Sequence, residues 1–299
     1  MDPLLSVIIP SYNSGERILT CIEALGRQRI DLDFEVIVVD ASDDGTGDLL
    51  EQLVGIKLIR SNQRLFPGTA RNRGAAEAAG AVLCFTDADC IPAADWIANI
   101  WKTRPDKNRM VVGGEIINGT PGSVVGTAEY LSEFSSFLPL YVMRSTTFFP
   151  TANLAVGAEE FREVGGFRDF EKGSDVTFGM DCRNAGIRFV FEPSIRVTHM
   201  NRTRLKDFLK NQERLGWGTG NNRALFDLPH SWLVRLPLAW PLVPAARFER
   251  TCYRVIRYGR GQQYNFIKSL PAIGLGTLYF GAGFARGTRD GLAAGTRQA

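Results

Sequence analysis

Over the first hundred residues, short and nearly continuous apolar runs alternate with helical patterns, and no other feature constrains the fold as strongly. The runs cover residues 4–9, 34–39, 56–60 and 81–86, and helical patterns fill 15–29, 45–53 and 69–79. Ser6-Val7-Ile8-Ile9 and Glu35-Val36-Ile37-Val38-Val39 place apolar side chains on both faces of a strand, as strands sandwiched between helices do. Strands separated by single helices pair in parallel through right-handed crossovers. The expected fold class is therefore α/β, a doubly wound, mixed but mainly parallel sheet. Ligands bind such sheets at the carboxyl ends of the strands. Pro10-Ser11-Tyr12-Asn13, Asp40-Ala41-Ser42-Asp43-Asp44-Gly45-Thr46 and Asp87-Ala88-Asp89 occupy those ends.

Strand-like runs at 110–117, 146–156 and 187–192, with helices at 159–164 and 177–185, read as the second half of the same domain, residues 1–202. Residues 203–299 differ in character. An amphipathic helix at 205–223 precedes an apolar stretch at 231–246 containing Trp232 and Trp240, and seventeen uncharged residues lie between Lys268 and Arg286. Seventeen is short for crossing a bilayer, and four glycines and a proline interrupt the run. With Arg235, Arg247, Arg250, Arg254, Arg257 and Arg260 nearby, the region reads as a helical, membrane-associating appendage resting on an anionic surface. A helical appendage packed on the catalytic domain, or in a homo-oligomer interface, is the alternative.

Net charge is only +3, but acidic residues thin out after Asp207 while Arg and Lys persist. The five cysteines are odd in number and widely spaced, which excludes a disulfide framework and a Cys-x-x-Cys zinc site and fits a reducing compartment. The N-terminus lacks the basic, apolar and cleavage segments of a secretion signal.

Two carboxylates at one strand end, Asp87 and Asp89, suit a hard divalent cation whose oxygen shell is completed by a bound diphosphate. An acidic turn capping a helix near Ala93 is the plainer alternative. Tyr12 can stack on a base, Asp40 can accept from a base or ribose, and Arg71 in Gly68-Thr69-Ala70-Arg71-Asn72-Arg73-Gly74 can neutralise phosphate or hold the acidic cluster. Each of these also has an ordinary reading as turn chemistry or a solvated helix face.

Taken together, Val7-Ile8-Ile9-Pro10-Ser11-Tyr12-Asn13, Val38-Val39-Asp40-Ala41-Ser42-Asp43-Asp44-Gly45-Thr46, Ala70-Arg71-Asn72-Arg73-Gly74, Phe85-Thr86-Asp87-Ala88-Asp89, Thr151-Ala152-Asn153-Leu154-Ala155-Val156 and Val164-Gly165-Gly166-Phe167 resemble the family-two inverting glycosyltransferases, which share the A-type glycosyltransferase fold. The resemblance spans roughly residues 4–199. It implies that Pro10, Tyr12 and Asp40 hold the nucleoside, that Asp87 contacts ribose or donor sugar, and that Arg71 serves the diphosphate. Asp89 would bind Mn²⁺ or Mg²⁺, with His199 a metal or phosphate contact. Asp175 would be the general base for a single, inverting displacement. The implied partners are a nucleotide-diphosphate sugar, with a UDP-sugar as the default, and a lipid-linked or polysaccharide acceptor met at the cytoplasmic side of the membrane; no nucleic acid is expected.

The chain departs from the family pattern at Ser174, where a Glu usually precedes the Asp. Gln212-Glu213-Arg214-Leu215-Gly216-Trp217 has the wrong spacing for the Gln-x-x-Arg-Trp signature of processive synthases, so a non-processive enzyme is expected. A nucleotidyltransferase would need a basic, glycine-rich loop after the first strand, and Ser11-Tyr12-Asn13-Ser14-Gly15 has no Lys or Arg. A catalytically silent binding module is the third reading; Ser174 favours it, and the retained carboxylates oppose it.

Overall fold

The structure is a computed structural model that describes residues 4–138, 148–228 and 230–295; the start of the apolar run at 146–156 lies outside them. The chain divides into two compact units, Met1–Ile117 with Val142–Met200, and Asn118–Tyr141 with Asn201–Ala299.

The first unit carries the alternation read above. Its strands are β1 (Leu5–Ser11), β2 (Phe34–Asp40), β3 (Lys57–Arg60), β4 (Val82–Phe85), β5 (Cys90–Pro92), β6 (Met110–Asn118), β7 (Leu154–Gly157) and β8 (Arg188–His199). They form one eight-stranded sheet in the order β3-β2-β1-β4-β7-β6-β8-β5. β3, β2, β1 and β4 are parallel, β7 runs antiparallel to β4 and β6, and β5 runs antiparallel to β8. The sheet is therefore mixed and mainly parallel, as expected. Val7, Ile8, Ile9, Ile37 and Val38 are inaccessible to solvent because both faces are covered.

The crossover helices are α1 (Arg17–Gly26), α2 (Thr46–Glu51) and α3 (Pro67–Ala76), and α4 (Trp96–Thr103) and α5 (Pro105–Asn108) precede β6. α3 opens on Pro67, whose fixed φ and missing N–H suit a first helical position. It lies tight on the sheet: a Cβ at Gly74 would stand 2.6 Å from Ile8 Cγ2. Downstream come α7 (Ala158–Glu163) and α8 (Ser174–Asn184), whose Phe161 and Phe178 join Phe85 and Phe167 in a ring cluster with centroids 4.7 to 5.6 Å apart.

The second unit is helical: α6 (Val124–Phe134), α9 (Leu205–Leu225), α10 (Leu242–Tyr258) and α11 (Gln263–Gly295). The uncharged run between Lys268 and Arg286 lies wholly within α11. Among the described residues no helix is long and apolar enough to cross a membrane. Glycines explain the run's composition. A Cβ at Gly216 would come within 2.0 Å of the Phe280 carbonyl oxygen, and one at Gly220 within 2.3 Å of that of Phe284. From α11, Gly283 and Gly287 stand equally close to the carbonyls of Glu213 and Trp217. Small residues four apart on both helices let the two backbones touch, as in close-packed helix pairs generally. Arg286–Glu213 and Trp217–Asp290, both 2.7 Å, hold the same seam.

This unit also encloses a polar layer. Glu129 of α6 is inaccessible and accepts from the Arg202 guanidinium at 2.6 Å and from Asn211 at 3.0 Å. Burial, then the charge of Glu133, push its carboxyl up to about 7 against the pull of Arg202.

Because the atoms facing Gly283 are backbone, they cannot retreat. Gly283→Val is expected to lower stability by about 1–3 kcal/mol in chemical denaturation, whereas Gly26→Ala, which meets nothing within 4 Å, stays within about 1 kcal/mol of the parent.

Candidate active site

The carboxyl ends of β1 and β2 form one continuous rim, with Pro10 opposite Val39 and Ser11 opposite Asp40. Pro10 and Ser11 close β1 itself rather than following it. Asp40 is 1% exposed, and its Oδ1 accepts from Ser42 Oγ at 2.6 Å, which fixes the carboxylate at the strand end. Ser42 Oγ in turn accepts from the Asn13 amide at 2.8 Å, and the Asn13 side chain exchanges two bonds with Asp43, at 2.7 and 3.0 Å. These bonds clasp the loops after the two strands together. Asn13 holds φ 51°, a left-handed conformation that Asn tolerates well. Tyr12 stands out of this clasp, 41% exposed, with the Arg64 guanidinium 5.0 Å from its ring centroid. Arg64 also pairs with Glu171 at 3.5 Å.

One cation organises the next group. Arg71 is 4% exposed and pairs with Asp87 at 2.5 Å. Its Nε is buried and has no hydrogen-bond partner among the described residues. α8 begins at Ser174, three residues before the helix expected at 177–185, and so carries Asp175 in its first turn. It keeps partial access to solvent, yet desolvation raises its carboxyl above the ordinary range; Arg71 opposes the shift and Asp87 adds to it. Arg71, Asp87 and Asp175 therefore share one electrostatic environment. Asp175 Oδ1 also accepts from the Val176 amide at 2.9 Å, but the N-cap position of α8 belongs to Gly173, so capping does not account for Asp175.

Asp89 sits two residues beyond Asp87, and its carbonyl accepts from the Met200 amide at 2.8 Å. This bond and the pairing of Cys90 with His199 across β5 and β8 bring His199 Nε2 to 3.6 Å from Asp89 Oδ1. The helix after this loop begins at Trp96, and its N-cap is Asp95, so neither Asp87 nor Asp89 caps it.

Asp89, Cys90 and His199 each bring a ligand atom within 4.8 Å of the others. Burial, then the charges of Asp89 and Asp87, push the Cys90 thiol far up, so it remains neutral. A carboxylate oxygen and an imidazole nitrogen fit Mn²⁺ or Mg²⁺, and with a neutral thiol they do not make a closed zinc site.

Two asparagines in the quoted motifs act as pins. Asn72 donates to the Phe167 carbonyl at 2.6 Å and accepts from its amide at 2.9 Å, fastening the segment before Asp175 to the helix that carries Arg71. Thr69 bonds Asp169 in the same segment. Asn153 accepts from Trp96 and donates to the carbonyls of Glu115 and Ile195. Sequence reasoning did not separate these roles from ligand contact, and it did not single out Arg64. Ser174 is 6% exposed and packs where a Cβ on Gly68 would lie, 3.2 Å away. His230 is exposed and belongs to the helical unit.

Residues 6–168 match the family described as Glycosyl transferase family 2, and residues 113–278 match Glycosyl transferase family group 2. Glycosyltransferase AglE of Haloferax volcanii is 30% identical over 226 residues, 72% of this chain and 73% of that protein. The pre-mycofactocin glycosyltransferase of Mycobacterium tuberculosis is 26% identical over 225 residues, 71% of this chain, which spans only 46% of that protein. The mannosyltransferase PcManGT from Pyrobaculum calidifontis, solved with GDP-Man and Mn²⁺, shares the fold at a TM-score of 0.65 and 20% identity over 97% of this chain and 88% of that one. The architecture is thus that of the A-type glycosyltransferases. The chain belongs to glycosyl transferase family 2 and is a glycosyltransferase.

Asn72→Ala removes both bonds that hold the Phe167 peptide. The expected outcome is a loss of about 1–3 kcal/mol in stability, together with a kcat lowered more than the donor KM, read from denaturation and steady-state kinetics.

Proposed function

We propose that this glycosyltransferase moves a sugar from a nucleoside-diphosphate donor to an acceptor hydroxyl by a single, inverting displacement. The carrying observation is the grouping of Arg71, Asp87 and Asp175 beside the Asp89–His199 pair. Two fold relatives solved with donor components, PcManGT with GDP-Man and Mn²⁺ and GalNAc-T7 with UDP, GalNAc and Mn²⁺, add support for the donor class and the cation.

In this reading Pro10, Tyr12 and Asp40 form the nucleoside face, with Tyr12 offering a ring for stacking. Asp87, held by Arg71, faces ribose or donor sugar. Asp89 and His199 would hold Mn²⁺ or Mg²⁺, which would neutralise charge on the diphosphate. Asp175 accepts the acceptor's hydroxyl proton as the new C–O bond forms at the anomeric carbon, and the bond from that carbon to the diphosphate breaks with its electron pair leaving on phosphate. Arg71, with its unpartnered Nε, stabilises that leaving charge. The raised carboxyl of Asp175 makes it a stronger base than a solvated Asp. Residues 1–202 carry this chemistry. The acceptor is a lipid-linked or polysaccharide hydroxyl, and the enzyme adds one sugar at a time from a peripheral position on the cytoplasmic side of the membrane. The named sugar-transferring relatives, including the amylovoran biosynthesis glycosyltransferase AmsB of Erwinia amylovora, are consistent with that acceptor class.

The test is a panel of nucleotide sugars incubated with and without Mn²⁺, scoring nucleotide release. Asp175→Asn is expected to lower kcat by about 10²–10⁴-fold with donor KM little changed. Release that needs no cation, or that Asp175→Asn leaves intact, would overturn the mechanism. Activity requires ionised Asp175, so kcat/KM falls as pH drops through its raised pKa, on the alkaline side of the ordinary Asp range. Arg71→Gln removes the opposing charge and is expected to move that acid limb to still higher pH.

A further inference from the structure

In the helical unit α11 is apolar on both sides, but the two sides are built differently. On the side against α9, Gly276, Gly283 and Gly287 meet Phe208, Glu213 and Trp217, and Phe280 and Phe284 are buried. The opposite side presents Tyr264, Ile267, Pro271, Leu275, Leu278 and Ala282, all exposed and spaced three or four apart. Ile267 is 64% exposed and Leu278 61%, with no charged residue between Lys268 and Arg286. α10 lies alongside, because Pro244 meets Gly281 while Phe248 approaches Gly274, an antiparallel pairing. Its outer side adds exposed Leu242, Tyr253 and Ile256. A run of large apolar side chains facing water over this length marks a contact surface.

Charge decides what the contact is with. Between Leu228 and Arg289 the sole acidic residue is Glu249, whereas Arg250, Arg257, Arg260, Lys268 and Arg289 are exposed on or beside the same helices. A second copy docked through this face about a twofold axis would set like charges against one another. A bilayer with anionic headgroups offers the complement: hydrocarbon for the stripe and phosphate for the guanidinium groups. The Lys268 ammonium 4.2 Å from the Tyr264 ring centroid places a cation and an interfacial aromatic together at the end of the stripe.

We propose that the outward faces of α10 and α11 form the membrane-docking surface, lying in the headgroup layer of an anionic leaflet with the 264–282 stripe inserted. This deepens the peripheral-membrane element of the functional reading but rests on none of its transfer chemistry.

The test is flotation of the full-length protein with vesicles of phosphatidylcholine alone or mixed with phosphatidylglycerol, at low and high salt. Binding to the mixed vesicles is expected, weakening with salt. Ile267→Glu with Leu278→Glu is expected to reduce it by about a hundredfold or more, and Arg257→Glu with Arg260→Glu by about tenfold; matching thermal melts would show that the variants fold. Failure of the unmodified protein to bind either vesicle overturns the proposal without reference to any variant. Equal binding to both vesicles overturns its charge component. A concentration-dependent dimer abolished by Ile267→Glu with Leu278→Glu, in the absence of vesicle binding, assigns the face to a second copy instead. Nucleotide release from soluble donors is scored separately, so loss of membrane binding with intact release rejects this surface alone, and the converse rejects the transfer mechanism alone.

Discussion

The buried guanidinium of Arg71 is the interaction on which the rim of the sheet depends. Bringing Asp87 and Asp175 into a shared, partly desolvated environment would be costly without a compensating charge. Arg71 compensates at 2.5 Å from Asp87 while restraining the upward shift of Asp175. It can do so because α3 is pressed against β1 and β2 through Gly74, which fixes where a side chain one turn earlier emerges. Its planar fork presents several donors in fixed directions, one of which meets the Asp87 carboxylate, a geometry that a lysine ammonium could not reproduce.

A single helix thereby coordinates two functions that lie far apart in sequence. Arg71 holds a residue from the end of β4, while its neighbour Asn72 fastens the peptide of Phe167, almost a hundred positions downstream. Phe167 is anchored again by the ring cluster with Phe85, Phe161 and Phe178. The segment leading into Asp175 is therefore tied to the same rigid body that positions Asp87. Precise placement of reacting groups on packed elements is what a displacement reaction requires, and a loop anchored at one end only would not provide it.

Much of this was readable from the chain because β1, β2 and β4 are covered on both faces and so appear as unbroken apolar runs, with Asp40 closing β2 and Asp87 and Asp89 following β4. The pairing of Asp89 with His199 was not readable in the same way; it depends on β5 and β8 meeting across about a hundred intervening residues, and register between distant strands leaves no local signature. α6 escaped notice for a different reason. Gly126 through Ser132 and Phe134 are buried, Glu129 among them, so the helix has no polar face to give a 3.6-residue alternation. A fully enclosed carboxylate pushed up to about 7 looks, in sequence, like any surface glutamate.

The uncharged stretch of α11 shows how far hydropathy alone can mislead. Summed along the chain, glycine and leucine both read as apolar, so the run does not show which of its residues face the protein and which face outward. In the structure Gly276, Gly283 and Gly287 meet α9, Gly274 and Gly281 face α10, and Phe266, Ile273, Phe280 and Phe284 are buried, while Ile267, Leu275 and Leu278 are exposed. The close glycine contacts and the buried phenylalanines together occupy the packed side of the helix, and the exposed stripe remains as a second apolar face. An ordinary amphipathic helix buries its large residues and exposes its polar ones. α11 buries large residues and exposes others, a second apolar face that water alone does not favour and an apolar phase outside the protein would.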